Sequence, residues 1–396
     1  MAGLSRGVAA TVLTGVALLA SSCGGDKLAG PAASAASAAR LVAPGMAGTH
    51  GNVVFASAAT GWVVAPHPAR HETDVYRTTD GGVSWTLWSS LPEEAGSPTA
   101  VGESAVLLMP RGNDRSSDHL MFRADGGRWE RRDLPIMVPN GNVTIQVLSD
   151  MRHGWLVPWQ DRDLFRTVDG GRTWQMVSSL HEFENAGSSD PFFWNATDGM
   201  MFYQLQDRFV YRQTRDSGAS WQAVDVPAIN AKADLGTTDN VIVSGGLPTM
   251  FDSANGVLQF SVFRPPSGSS DSPLTRYVYL AQTTDGGRHW SAAKLFQLPA
   301  AGQLELLDSR RWLLAGDQYA YYTIDAGQHW RESEGLGAGL WRGSGGFFAV
   351  PSSDGSVFMI FRQSDIEWLA VSTDAGAHWR PVPLPDIREA TWLGSF

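Results

Sequence analysis

The sequence predicts an all-β protein, a seven-bladed β-propeller of four-stranded antiparallel blades. Three observations predict it. An eight-residue pattern, Ser/Thr-x-Asp-x-Gly-x-x-Trp, returns seven times. The intervals between its copies suit one small sheet each. The stretches between copies alternate as strands do, and no helical segment of comparable strength interrupts them.

The first copy is Thr78-Thr79-Asp80-Gly81-Gly82-Val83-Ser84-Trp85. The second, Asp125-Gly126-Gly127-Arg128-Trp129, is one residue shorter. The others are Asp169/Gly171/Trp174, Asp216/Gly218/Trp221, Asp285/Gly287/Trp290, Asp325/Gly327/Trp330 and Asp374/Gly376/Trp379. Successive aspartates are 45, 44, 47, 69, 40 and 49 residues apart, and a propeller blade needs about 40 to 50. The long interval holds the Gly/Ser/Pro-rich stretch Arg264 to Leu274, which reads as an inserted loop.

Each part of this box has a local reason. Its glycines tolerate positive φ, which a tight turn requires. Its aspartate accepts hydrogen bonds from turn N–H groups. Its tryptophan is expected to enter the next strand and bury its ring between sheets. That burial covers ~200 Å² and contributes roughly 5 kcal/mol at most. Strand-like segments precede the first box at 52–55, 61–65 and 74–78, and 85–88 follows it, so the box belongs at the turn between a third and a fourth strand. The segment Ile387 to Leu393 is β-like and is expected to close the ring by pairing with the first blade near Val53 to Val64.

The chain divides into 1–22, a signal peptide; 23–48, a tether; and 49–396, the propeller. An apolar run from Val8 to Ala20 is too short to span a bilayer and suits a signal-peptide core. It ends in Leu19-Ala20-Ser21-Ser22-Cys23, which resembles the lipobox of bacterial lipoproteins, with Ala20 where leucine is usual. The resemblance implies acylation of Cys23, export, and a lipid anchor in the cell membrane or outer membrane. The stretch from Gly24 to Gly48, rich in Ala, Gly and Ser, then holds the domain off the membrane.

Composition narrows the function. A net charge of −10 disfavours nucleic acid and anionic lipid as partners. Cys23 is the single cysteine, which excludes intramolecular disulfides and cysteine-based metal sites. Neither metal nor cofactor is expected. His67-Pro68-Ala69-Arg70-His71-Glu72 has the wrong order for a zinc helix, and Pro68 opposes a helix there, so it reads as a solvated loop. His289, His329 and His378 fall on separate blades.

The boxes resemble those of the Asp-box, or BNR, repeat family. Paired with Gly-Trp strands such as Gly61-Trp62 and Gly154-Trp155, they look most like propellers of the photosystem II stability/assembly-factor type. The resemblance covers about 50 to 385 and implies the fold far more than a function. It makes Asp80, Asp125, Asp169, Asp216, Asp285, Asp325 and Asp374 structural turn residues. Ligands of propellers usually meet the opposite end of the disc, formed by loops between second and third strands and between blades. Candidate binding residues there are Trp159, Trp194, Trp341 and Arg342. The expected function is a non-catalytic binding or assembly module with a protein or glycan partner at the cell envelope. The alternative is a sialidase-like glycan hydrolase. Sialidases carry a Phe/Tyr-Arg-Ile-Pro motif before the first box, and between Thr49 and Asp80 this chain has none; Phe263-Arg264-Pro265 is a partial echo in another repeat.

Overall fold

A computed structural model of the chain describes residues 53–382, except 111–116, 140–142, 149, 184–188, 206–207, 227–228, 236–241, 265–274, 301, 316–318, 336–346, 350–355 and 364–365. Cys23, the tether, Trp341, Arg342 and the closing segment 387–393 lie outside the described residues.

The fold is all-β, a seven-bladed propeller of small antiparallel sheets. The first blade takes Val53–Phe55, Gly61–His67, Glu72–Thr78 and Thr86–Leu91 in chain order. The other six occupy 95–138, 143–179, 192–224, 242–297, 303–332 and 347–382. The α-helix among the described residues, Ala231–Asp234, has a single turn.

Burial follows position in the blade. Second strands such as Gly61–His67, Ala105–Pro110 and Gly154–Pro158 are buried at every residue, because both faces meet neighbouring blades. Fourth strands such as Thr86–Leu91 and Gln175–Ser179 are largely exposed and form the rim. The first strand of each blade lies nearest the axis; Gln146 bridges two of them, accepting from the Phe193 N–H and donating to the Phe193 carbonyl.

The register explains the Gly-Trp strands. Gly61 faces Thr78 of the box, as Gly154 faces Thr167. A Cβ at Gly61 would stand 2.5 Å from the Phe55 ring. The following tryptophans, Trp62 and Trp155, are fully enclosed, and Trp312 takes the glycine's own place opposite Thr323.

One expectation about the core needs correction. Six of the box tryptophans, Trp85, Trp129, Trp174, Trp221, Trp290 and Trp330, are only partly buried. Each opens the exposed fourth strand and leans on a core cluster from its edge; Trp379 alone is buried. The anchors are Trp62, Trp155 and Trp312. The inserted loop expected at Arg264 to Leu274 lies, past Arg264 at the end of the strand Gly256–Arg264, outside the described residues; the helix and the short strand Thr249–Met250 add further length to this repeat before it.

The first and last blades pack together. Val53, Phe55, Val63 and Ala65 form one core cluster with Phe358, Leu369, Val371 and Val382. Arg380 also donates to the Gly81 carbonyl at 3.2 Å. The same link recurs between blades. Arg132 donates to Gly170, Trp155 to Ser217 and Gln213 to Gly286, each reaching a box carbonyl of the next blade.

Candidate functional site

Six boxes share one hydrogen-bond design. In the first, Thr78 Oγ1 accepts from the Gly82 N–H at 2.8 Å and donates to Asp80 Oδ1 at 2.7 Å. Asp80 Oδ1 also accepts from the Ser84 N–H at 2.9 Å, and Oδ2 accepts from the Ser84 hydroxyl at 2.6 Å. Thr173 and Ser220 fill the serine's role for Asp169 and Asp216. His289, His329 and His378 fill it through Nδ1 for Asp285, Asp325 and Asp374. The variable position before the tryptophan is therefore a donor position, which accounts for the box histidines without a metal.

These bonds shift the carboxyls down. The Ser84 hydroxyl and N–H hold Asp80 at about 2. Burial alone would raise Asp169, yet bonds from Thr173 and Thr167 outweigh it and leave it at about 2. Such groups remain ionised at neutral pH and cannot serve as proton donors.

Asp125 departs from its expected turn role. Arg123 stands where the other boxes have Ser or Thr, and the turn closes by Gly127 N–H to the Ala124 carbonyl at 3.0 Å. The Asp125 carboxylate instead pairs with Arg77 of the first blade.

A second recurrent turn, unread in the sequence, sits beside the boxes. Ser57, Asp150, Asn195, Asp252 and Asp308 each accept two backbone N–H bonds in the turn between first and second strands. Each precedes by four residues the glycine of the second strand, or Trp312 in its place. Carbonyls of these turns accept from the boxes, as Ala59 does from the Gly81 N–H at 2.8 Å. Both turn types thus share one end of the disc. Trp194 lies at this end, because its N–H bonds the Asp198 carbonyl just after the strand Phe192–Phe193. It is partly buried against the fourth–fifth blade core, so it does not belong to the opposite face.

The opposite end holds two built features. On the first two blades, His67 is a buried strand residue, not part of a solvated loop; its Nε2 meets Asp74 at 3.0 Å. His119 is held between Asp118 and Glu93. On the third blade, Trp159 occupies the loop between second and third strands and is 42% exposed. Its Nε1 donates to Thr144 Oγ1 at 3.3 Å, Thr144 donates to Asp190, and Asp190 pairs with buried Arg162. Arg162 adopts φ 50°, a left-handed conformation rare for a side chain of its size.

Along the strands nearest the axis, Glu305 is the one ionisable side chain among the described residues. It sits in Gln303–Leu306, where Leu304 and Leu306 turn into the core and Gln303 and Glu305 take the other face. Burial pushes its carboxyl up to about 7, against a bond from Gln303 Nε2 at 2.9 Å. Nothing in the alternation of Gln-Leu-Glu-Leu marked it beforehand. Among the described residues no group of three or more His, Cys, Asp or Glu side chains could hold a metal ion.

No family profile and no curated protein matches the sequence. Solved structures do resemble it. YCF48 from Cyanidioschyzon merolae is 13% identical over 80% of this chain and 93% of that one, with a TM-score of 0.46. An α-L-arabinofuranosidase from Fusarium graminearum is 11% identical over 80% and 90%, TM-score 0.38. A puromycin-hydrolyzing peptidase of Mycobacterium tuberculosis is 14% identical over 85% and 54%, TM-score 0.48. At these identities the likeness is one of fold, and no activity or partner carries over.

Proposed function

We propose that the protein is an exported, Cys23-anchored propeller that binds or assembles a partner at the cell envelope and does no chemistry of its own. The observation that supports this reading is the composition of the channel wall. Glycoside hydrolysis in most families uses two carboxyl groups on facing sides of one bond. The described inner strands supply one, Glu305. Six box carboxylates are occupied by their turns and Asp125 by Arg77, and Asp190 is occupied by Arg162 and Thr144. The opposite end, where Trp159 is presented, is the binding face in this reading.

The second reading, a glycan hydrolase, draws on Glu305 itself. A carboxyl held near 7 is suited to general-acid work. Purified protein and its Glu305→Gln variant should be assayed on aryl sialosides, arabinofuranosides and hexopyranosides. The binding reading expects no turnover from either. Turnover by the wild type that Glu305→Gln abolishes would replace it with the hydrolase. The anchor has its own test, detergent phase partition of wild type and Cys23→Ser. Equal partition into the aqueous phase would remove the lipid from the proposal.

A further inference from the structure

We propose that the Trp159 end of the third blade docks a basic segment of a protein partner, with a guanidinium or ammonium group lying over the indole. The inference rests on the binding reading and names the chemistry of what is bound.

Two features of this loop, and one of the chain elsewhere, point the same way. The first is rigidity. Trp159 exposes a large apolar ring while its edge is tied through Thr144 and Asp190 to buried Arg162. The loop backbone is fixed as well: the Arg162 N–H bonds the Pro158 carbonyl at 3.0 Å, and the Leu180 N–H bonds the Arg162 carbonyl at 2.9 Å. Left-handed Arg162 is held by these contacts, and such conformations persist only where the surroundings impose them. A ring already fixed in place loses little freedom on binding.

The second feature is charge. Asp161 and Glu182 are exposed and Asp163 is half-buried; no side-chain hydrogen bond or ion pair engages their carboxylates among the described residues. Asp161 and Asp163 flank Arg162 in the loop, and Glu182 lies in the turn His181–Phe183, two residues after Leu180 joins that loop. Arg162, the one Lys or Arg in these two segments, is already neutralised by Asp190. Three carboxylates on the loop of Trp159 and on the turn bonded to it disfavour an anionic sugar, whereas a cation docking there relieves their mutual repulsion.

The third feature is that this chain already uses the contact internally. Arg77 lies 5.6 Å from the Trp62 ring centroid, and Arg123 lies 4.7 Å from that of Trp88. Both distances are within the ~6 Å range of cation–π attraction. Trp159 presents the same kind of face to solvent.

The probe is a fluorescein-labelled hexa-arginine peptide titrated into the mature chain, with a neutral hexaglucan as comparison, at low and high salt. Binding should be seen for the peptide and weaken with salt. Trp159→Ala should weaken it at least tenfold at unchanged melting temperature, and Trp159→Phe should retain most of it. Asp161→Asn with Glu182→Gln should weaken it and flatten the salt dependence. Glu332→Gln, on the rim of the sixth blade, should leave it unchanged. Absence of peptide binding overturns the inference. So does an equal loss in Glu332→Gln, which would indicate diffuse attraction to an acidic protein. Trp159-dependent capture of the hexaglucan without the peptide would also overturn it while leaving a binding module in place. Only Glu305-dependent hydrolysis would remove the binding reading itself.

Discussion

Phe55 and Phe358 stack with ring centroids 3.5 Å apart and planes 14° apart, joining the first blade to the last. Phe358 is fully buried and Phe55 nearly so. The contact fastens the two ends of the described ring through side chains alone. Phe358→Ala should cost about 3 to 5 kcal/mol, the usual loss for a large buried ring. Melting followed by circular dichroism should then move as one transition to lower temperature. Two separated transitions would mean that the ring ends fray independently of the other blades.

The boxes divide into turn-holding and non-turn-holding copies. Asp285→Ala removes the acceptor for two N–H groups and the His289 ring, and should cost about 1 to 2 kcal/mol. Asp125→Ala removes an exposed ion pair with Arg77 and should cost under about 1 kcal/mol. Urea melts of the two variants decide this; equal losses would place Asp125 among the turn residues after all. Acid should act in the same direction. Asp80 is held below its ordinary value, so its contribution is complete above about pH 4 and lost as pH falls towards 2.

Glu305 carries the opposite sign. Its folded-state carboxyl is raised from 4.5 to about 7. The unfolded chain therefore releases this proton first, and stability from this group falls between about pH 4.5 and 7. Glu305→Gln should match wild type near pH 4.5 and exceed it by ~1 to 2 kcal/mol at pH 8, reduced for the partial solvent contact of the side chain. Denaturant melts at both pH values test it, and a constant difference between the proteins would rule it out.

Ala326 and Ala375 occupy the left-handed box position with φ 61° and 58°, where Gly81, Gly170 and Gly286 stand in other blades. A left-handed alanine costs about 1 to 2 kcal/mol, and glycine returns part of that as unfolded-chain entropy. Ala326→Gly should therefore stabilise by up to about 1 kcal/mol. A lower melting temperature for this variant would show that its methyl group packs usefully.

The fold was legible because its signals are local. Asp, Gly and alternating strands around each box are decided within about ten residues. Burial is not local, and the reading failed where it mattered. The box tryptophans looked like anchors, yet they open the exposed rim strands, while Trp312 became an anchor in a position that other blades give to glycine. Trp194 was placed at the wrong end because the strand before it has only two residues, Phe192–Phe193, and a strand that short leaves no pattern. The Ser/Asp/Asn turn four residues before five of the second strands was readable in principle. It recurs in five blades at one spacing but lacks a tryptophan to draw attention. Of the candidate face, Trp159 was legible as a large aromatic between two strand signals; the network beneath it joins residues 144, 159, 162 and 190, and no sequence pattern links those.

The paired turns at the box end have a consequence for how such a chain can change. Six of the boxes and the five turns beside them each keep one length, because a carboxylate or hydroxyl must reach N–H groups a set number of residues away and a carbonyl must reach the adjoining box. An added residue would break bonds in two turns and loosen the link to the neighbouring blade. The other end obeys no such rule: its connections range from the two residues between Leu205 and Arg208, through four at 68–71, to the stretches 180–191 and 225–241. Insertions and deletions are therefore tolerated on that side of the disc, and at the box end only where, as around Asp125, the shared turn bonds are absent. Tags, grafted loops or whole guest domains should be accepted at 68–71 or 225–241 and rejected at the six bonded boxes, and the side that is free to vary in length is the side that presents Trp159.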